Sequence, residues 1–201
     1  CSATSPGVLV TVNSATVPTI TASGSTTICQ GTNVLLTASA GTAYLWSSGE
    51  TTQSIIANVD GPYSVTVTNA NGCQATSANT TVTVNPLPVL AANTGATSVC
   101  QGSTTTLANT TATGTWTSSD NTIATINPGN GLITGENAGT VTLTYTFTNA
   151  NGCTSAVSTN FTVNALPTAA ITANGPTTFC QGGNVTLTAS TGTSYLWSNG
   201  A

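Results

Sequence analysis

The sequence predicts an all-β protein, built as a tandem series of Greek-key β-sandwich domains. Three observations predict it: strands that alternate apolar and polar residues, a unit that recurs along the chain, and a composition without Lys, Arg or Met. Hydrophobic residues make up 38% of the 201 positions, enough to build cores. The polar remainder is mainly Thr, Ser, Asn and Gly, and Thr together with Val favours a pleated, half-buried strand. No window shows the 3.6-residue apolar period of a helix.

Strict alternation marks a strand with one buried face. Val141, Leu143, Tyr145 and Phe147 alternate with four threonines, and Tyr63, Val65 and Val67 repeat the pattern one unit earlier. Val34, Leu36 and Ala38 form another inward row, Trp46 falls on the next strand, and Thr81 to Val84 alternates again. Turn signals fall between these runs at intervals of about 8–12 residues, the spacing of a sandwich or barrel. Asn71-Gly72 and Asn151-Gly152 sit between two strand patterns, where a turn needs positive φ. They read as the hairpin joining the last two strands.

The repeat is the main signal. Ile28-Cys29-Gln30-Gly31 leads through Val34 and Leu36 to Tyr44-Leu45-Trp46, and Phe179-Cys180-Gln181-Gly182 leads in the same way to Tyr195-Leu196-Trp197. A looser middle copy runs from Val99-Cys100-Gln101-Gly102 to Trp116, and the Cys-to-Trp spacing is 17, 16 and 17 residues. The back half repeats too, since Thr68 to Cys73 and Thr148 to Cys153 both read Thr-Asn-Ala-Asn-Gly-Cys. Cys1 to Asn13 aligns with Cys73 to Asn85, and Pro167 to Ala201 aligns with a first half only. The expected division is the last strand of a preceding domain at 1–16, domains at 17–86 and 87–166, and the first half of a further domain at 167–201.

Composition also excludes functions. The only acidic side chains are Glu50, Asp60, Asp120 and Glu136, and no Lys, Arg or His accompanies them. Without basic side chains a phosphate backbone cannot be neutralised, so nucleic acid is no partner. Four scattered carboxylates and no histidine offer little to acid–base chemistry. We therefore expect no catalytic residue, no cofactor, no metal site and no enzyme. No apolar run approaches the length of a membrane span, so direct insertion is not expected.

Six cysteines occupy repeat-locked positions: Cys1, Cys29, Cys73, Cys100, Cys153 and Cys180. Cysteines at matched positions in a small all-β unit read as a disulfide framework made in an oxidising compartment. The simplest pairing is Cys29–Cys73 and Cys100–Cys153, with Cys1 and Cys180 paired outside this stretch. Yet Cys29 precedes the second strand and Cys73 lies at the last hairpin, at opposite ends of a standard sandwich and beyond the ~7 Å Cα limit of a bridge. Bridges between neighbouring domains, such as Cys29 to Cys153, are the alternative. No C-x-x-C spacing suggests zinc.

These residues resemble a known family. The pattern from Ile28-Cys29-Gln30-Gly31 through Tyr44-Leu45-Trp46 to Tyr63–Cys73 is similar to the immunoglobulin-like or PKD-like repeats of very large Bacteroidota surface adhesins. Gliding-motility adhesins exported by the type IX system are among them. Thr115 to Thr125, Gly131 to Gly135 and Ala138-Gly139-Thr140 resemble bacterial Ig-like group 2 domains. The resemblance implies immunoglobulin-like sandwiches at the cell surface, acting as a stalk or spacer that projects a distal binding domain, in surface attachment or gliding. It implies neighbouring repeats as partners and carries no catalytic residue. A glycan-binding module and a self-assembling filament subunit are the rival functions.

Trp46, Trp116 and Trp197 stand at one fixed place per repeat and read as core residues rather than sugar-stacking platforms. Asp60 and Asp120 read as turn residues, since calcium needs six to eight oxygens and usually several carboxylates. Outward threonines such as Thr142, Thr144 and Thr146 read as a neutral β surface. Edges without Lys gatekeepers also leave lateral self-association open. Asn79, Asn109, Asn160 and Asn184 fit N-x-[ST], but a chain this rich in Asn, Ser and Thr produces such matches by composition. With no Lys or Arg, trypsin should leave even the unfolded chain intact. A protease without basic specificity should cleave slowly at the Pro-containing joints 85–88 and 164–167, and fast cleavage there would contradict a protected stalk.

Overall fold

The computed structural model describes residues 1, 6–111 and 113–199. Every helix or strand among them is a strand, and the chain divides into two compact units. The first comprises Cys1–Val89 with Thr148–Ser155, the second Leu90–Phe147 with Ala156–Ala201.

In the first unit β1 (Ile20–Ala22), β3 (Val34–Ala38) and β5 (Ser54–Ala57) form one antiparallel sheet in the order β1-β3-β5. Opposite lie β2 (Thr27–Cys29), β4 (Ala43–Trp46), β6 (Gly61–Tyr63), β7 (Val65–Thr68), β8 (Gln74–Thr76) and β9 (Thr80–Asn85), ordered β4-β7-β8 and β2-β9-β6. Period-2 alternation does its expected work: Val34, Leu36 and Ala38 point inward from β3, and Tyr63, Val65, Val67 and Val82 meet them from the other layer. Trp46 lies between the layers at 2% exposure, its indole N–H donating to Thr52 O at 2.8 Å.

The strand β8–β9 is broken for a countable reason. Tyr63 faces Thr80 while Thr66 faces Thr76, so four residue steps on one strand oppose three on the other. One extra residue makes a bulge. Cys73 to Asn85 is accordingly one residue longer than Cys153 to Asn164, its counterpart in the next repeat.

In the second unit β10 (Thr94–Gly95), β12 (Thr104–Ala108), β14 (Ala124–Ile126) and β15 (Leu132–Gly135) form a sheet ordered β10-β12-β15-β14. The other sheet, ordered β11-β17-β16-β13, holds β11 (Ser98–Cys100), β13 (Thr115–Ser118), β16 (Gly139–Thr148) and β17 (Thr154–Asn164). The β14–β15 hairpin accounts for the longer Cys-to-Cys spacing of this repeat. Trp116 is again buried, 4.9 Å from the Tyr145 ring at a tilt of 57°. Gly114 leaves room for that ring, since a Cβ there would come within 2.2 Å of it. Tyr145 in turn bonds through its hydroxyl to Gly114 N–H and Thr111 O.

β18 (Ile171–Asn174) and β19 (Thr186–Ala189) form a two-stranded antiparallel sheet. Among the described residues no second sheet covers it, and Trp197 is only half-buried. Burial of the Trp needs both layers of the sandwich, which the sequence position alone does not supply.

Leu36 is fully buried and its neighbour Leu35 is 42% exposed. Leu36→Ala should therefore destabilise the fold by about 2–5 kcal/mol, while Leu35→Ala should stay within about 0.5 kcal/mol. Urea denaturation followed by Trp fluorescence reads both.

Candidate functional site

The chemistry that distinguishes this chain gathers around its cysteines. Cys29 ends β2, and the chain turns at once. Thr32 N–H donates to Cys29 O at 3.0 Å, Thr32 Oγ1 donates to it at 2.7 Å, and Gly31 takes φ 86°. That is a type II arrangement, in which the third position favours Gly. Ser103 N–H closes the same turn on Cys100 O at 3.0 Å, and Gly183 N–H on Cys180 O at 2.9 Å. Cys-Gln-Gly thus fixes each cysteine at the corner of a turn.

The second cysteine of each repeat sits in a hairpin organised by an asparagine. Asn149 Oδ1 accepts the N–H groups of Asn151 and Cys153, both at 3.0 Å, and Asn149 N–H donates to Cys153 O at 2.9 Å. Asn69 does the same for Asn71 and Cys73, at 3.0 Å each. Gly72 and Gly152 carry the positive φ, both at 78°, and Asn71 and Asn151 do not. The repeated Thr-Asn-Ala-Asn-Gly-Cys string signalled the turn. The organising role of its first asparagine was missed, although an Asx turn two residues ahead of the Asn-Gly step would have suggested it.

Cys29 is bonded to Cys153, with a Cα–Cα distance of 5.6 Å. This corrects the simplest expected pairing: Cys29–Cys73 and Cys100–Cys153 do not form, and Cys73, Cys100, Cys1 and Cys180 are free thiols. Strand register explains it. β2 pairs in parallel with β9, setting Cys29 opposite Asn85. Cys73 lies twelve residues earlier, at the start of the β8–β9 strand. At ~3.3 Å per residue that is about 40 Å away, far past bridging distance. The hairpin that does reach Cys29 is the next one in the sequence. Asn149 Nδ2 donates to Pro86 O at 3.2 Å, and Cys153 Sγ lies 3.9 Å from Asn85 O, the carbonyl that accepts Gln30 N–H at 2.8 Å. Cys153 is fully buried in this contact and Cys29 half-buried.

The other candidate residues lie apart from this site. Trp46 and Trp116 are buried and present no face to a sugar. Trp197 lines an open groove with Pro167, Tyr195 and Leu196. The acids make separate structural contacts: Asp120 Oδ1 accepts Thr122 Oγ1 at 2.6 Å and Thr122 N–H at 2.8 Å within a turn, Asp60 Oδ1 accepts Val84 N–H at 2.9 Å, and Glu136 Oε1 accepts Thr125 Oγ1 at 3.1 Å. The Thr122 hydroxyl holds the Asp120 carboxyl below its ordinary range, and the Ser48 side chain does so for Glu50. Among the described residues no three metal-ligating side chains come together.

Residues 78–158 match the family described as bacterial Ig-like domain (group 2). The fold is an immunoglobulin-like β-sandwich, with the short second strand parallel to the last and Greek-key sheets around a buried Trp. No curated protein sequence matches the chain. Among solved structures, a C-terminal 282-residue fragment of intimin, in complex with the intimin-binding domain of the translocated intimin receptor, is 14% identical with a TM-score of 0.35, over 80% of this chain and 67% of its own. Murine CEACAM1b is 15% identical with a TM-score of 0.32, over 74% of this chain and 100% of its own. The N-terminal four Ig domains of Dscam1 isoform 9.44 are 11% identical with a TM-score of 0.26, over 85% of this chain and 58% of their own. Ig-like domains closed by a disulfide are typical of extracellular proteins. No helix among the described residues is long and apolar enough to cross a membrane.

The Cys29–Cys153 bond closes a sequence separation of 124 residues, for which chain entropy gives about 5 kcal/mol of stabilisation. Cys153→Ser should lower the unfolding free energy by up to that amount. It should also raise the thiols titrated without reductant from four to five, Cys29 joining the present free ones. A count of three would mean that Cys29 had found another partner in the chain.

Proposed function

We propose that this chain is a stalk segment of a large extracellular cell-surface adhesin, a run of Ig-like repeats that holds a distal binding domain away from the cell. The division into 1–16, 17–86, 87–166 and 167–201 belongs to this proposal. So do the kinship with Bacteroidota surface adhesins and the roles in attachment or gliding motility. The observation that carries it is the Cys29–Cys153 bond. Each repeat already has its own apolar core, so a bond joining 17–86 to the hairpin of 87–166 adds nothing to either core. Its effect is to make one repeat inseparable from the next, which suits a part that transmits tension.

The rest of the chain supports a passive role. No basic side chain and four scattered acids leave little for catalysis, and the reading is non-enzymatic. Tandem repeats contact mainly their neighbours, so reach grows with copy number. Proline at 86 and 88 fixes φ at the joint and extends the residue before it.

Pulling the chain from its ends tests the mechanical reading. With the bond intact, the stretch between Cys29 and Cys153 is shielded from extension. The 124-residue separation at ~3.3–3.6 Å per residue amounts to about 400 Å of hidden length. Single-molecule extension should gain that length only after reductant is added. Equal extension in both conditions would remove the tension-bearing role. Concentration-dependent fibres in scattering would point instead to a filament subunit, and specific hits on a glycan array to a binding module.

A further inference from the structure

The cysteine junction occurs three times in this chain, once complete and twice as a half. In the complete copy the strand end at Asn85 receives a Cys-Gln-Gly corner on one side and an Asn-Gly-Cys hairpin on the other. Cys29 stands opposite Asn85, Gln30 N–H donates to Asn85 O at 2.8 Å, Asn149 Nδ2 donates to Pro86 O at 3.2 Å, and Cys153 Sγ approaches Asn85 O. The two sulfurs meet there.

The first half-copy has the hairpin and the strand end. Asn13-Ser14 corresponds in sequence to Asn85-Pro86. Asn69 Nδ2 donates to Ser14 O at 3.2 Å and the Cys73 thiol to Asn13 O at 3.4 Å, matching what Asn149 and Cys153 do one repeat later. The second half-copy has the corner and the strand end. Cys100 stands opposite Asn164 in the parallel β11–β17 pair, and Gln101 N–H donates to Asn164 O at 2.9 Å. The hairpin half of the complete junction's contacts is in place around Cys73, and the corner half around Cys100.

We propose that Cys73 and Cys100 are acceptor sites for disulfides to neighbouring repeats of the same type, so that one bond spans every junction. Cys73 takes the cysteine of a Cys-Gln-Gly corner from the repeat before it, and Cys100 takes the hairpin cysteine of the repeat after it. The rule is a fixed offset: the corner cysteine of each repeat joins the hairpin cysteine of the next. Each closure breaks two S–H bonds and makes one Sγ–Sγ bond. The two protons and two electrons pass to a disulfide oxidant of the exporting compartment, which leaves as a dithiol. The sites hold whether or not the array serves as a stalk, so the extension experiment and the following one fail separately.

The chain itself supplies the test. Residues 167–201 align with 16–50, so appending a second copy of residues 51–86 after Ala201 completes a following repeat and brings in one more hairpin cysteine. The lengthened chain is oxidised, blocked with N-ethylmaleimide, digested with chymotrypsin and mapped without reduction. The expected result is Cys29–Cys153 retained, Cys100 bonded to the added cysteine, and only Cys1, Cys73 and Cys180 alkylated. Alkylation of Cys100, a bond between the added cysteine and Cys180 within one repeat, or a disulfide-linked dimer through Cys100 would each overturn the proposal. Cys100→Ser in the same background should leave the added cysteine alkylated. Should it instead bond to Cys180, the fixed offset is wrong.

Discussion

A backbone register decides which thiols in this protein meet. β2 and β9 run parallel, as do β11 and β17, so the short second strand and the last strand of each sandwich finish side by side. The cysteine closing that second strand therefore lies beside the end of the last strand, Cys29 at Asn85 and Cys100 at Asn164. Its repeat-mate sits at the start of that last strand. Cys29 lies beside Asn85 because β2 pairs with the last three residues of β9, whereas Cys73 precedes β8, twelve residues before Asn85. The register of one three-residue strand thus sets Cys29 against Cys153 and away from its repeat-mate Cys73.

The sandwich was legible because alternation is a local property. Val34, Leu36 and Ala38, or Val141, Leu143 and Tyr145, declare their buried face without reference to any other part of the chain, and the structure buries them. The Asn-Gly hairpin was legible for the same reason, since Gly marks the residue that turns, whereas Cys-Gln-Gly stood out in the sequence only as a repeat. Pairing of the cysteines was not legible. It depends on where a short segment pairs along a strand more than fifty residues away, and no periodicity encodes that. The bulge in β8–β9 lies between these cases. A one-residue difference between Cys73–Asn85 and Cys153–Asn164 is visible in the sequence, but only the two strand registers show where the extra residue is absorbed.

The surface replaces ionic contacts with hydroxyl ones. Thr66 and Thr76 pair across strands at 2.9 Å, Thr144 and Ser158 at 2.9 Å, and Thr148 and Thr154 at 2.8 Å. Such cross-strand pairs are each worth a few tenths of a kcal/mol to about 1 kcal/mol. Unlike salt bridges, they are indifferent to ionic strength. No side chain carries positive charge, so no screening by salt or change of pH across neutrality can dismantle an ion-pair network here.

The offset between Cys29 and Cys153 also sets a clock. In a chain made from its N-terminus, the corner cysteine is complete long before the hairpin that will receive it, 124 residues downstream. At ~5–20 residues per second that interval is on the order of 10 s, during which the earlier sandwich can fold while its thiol is still unclaimed. The sandwich that carries Cys29 is therefore sealed only after the hairpin of the following repeat has been made.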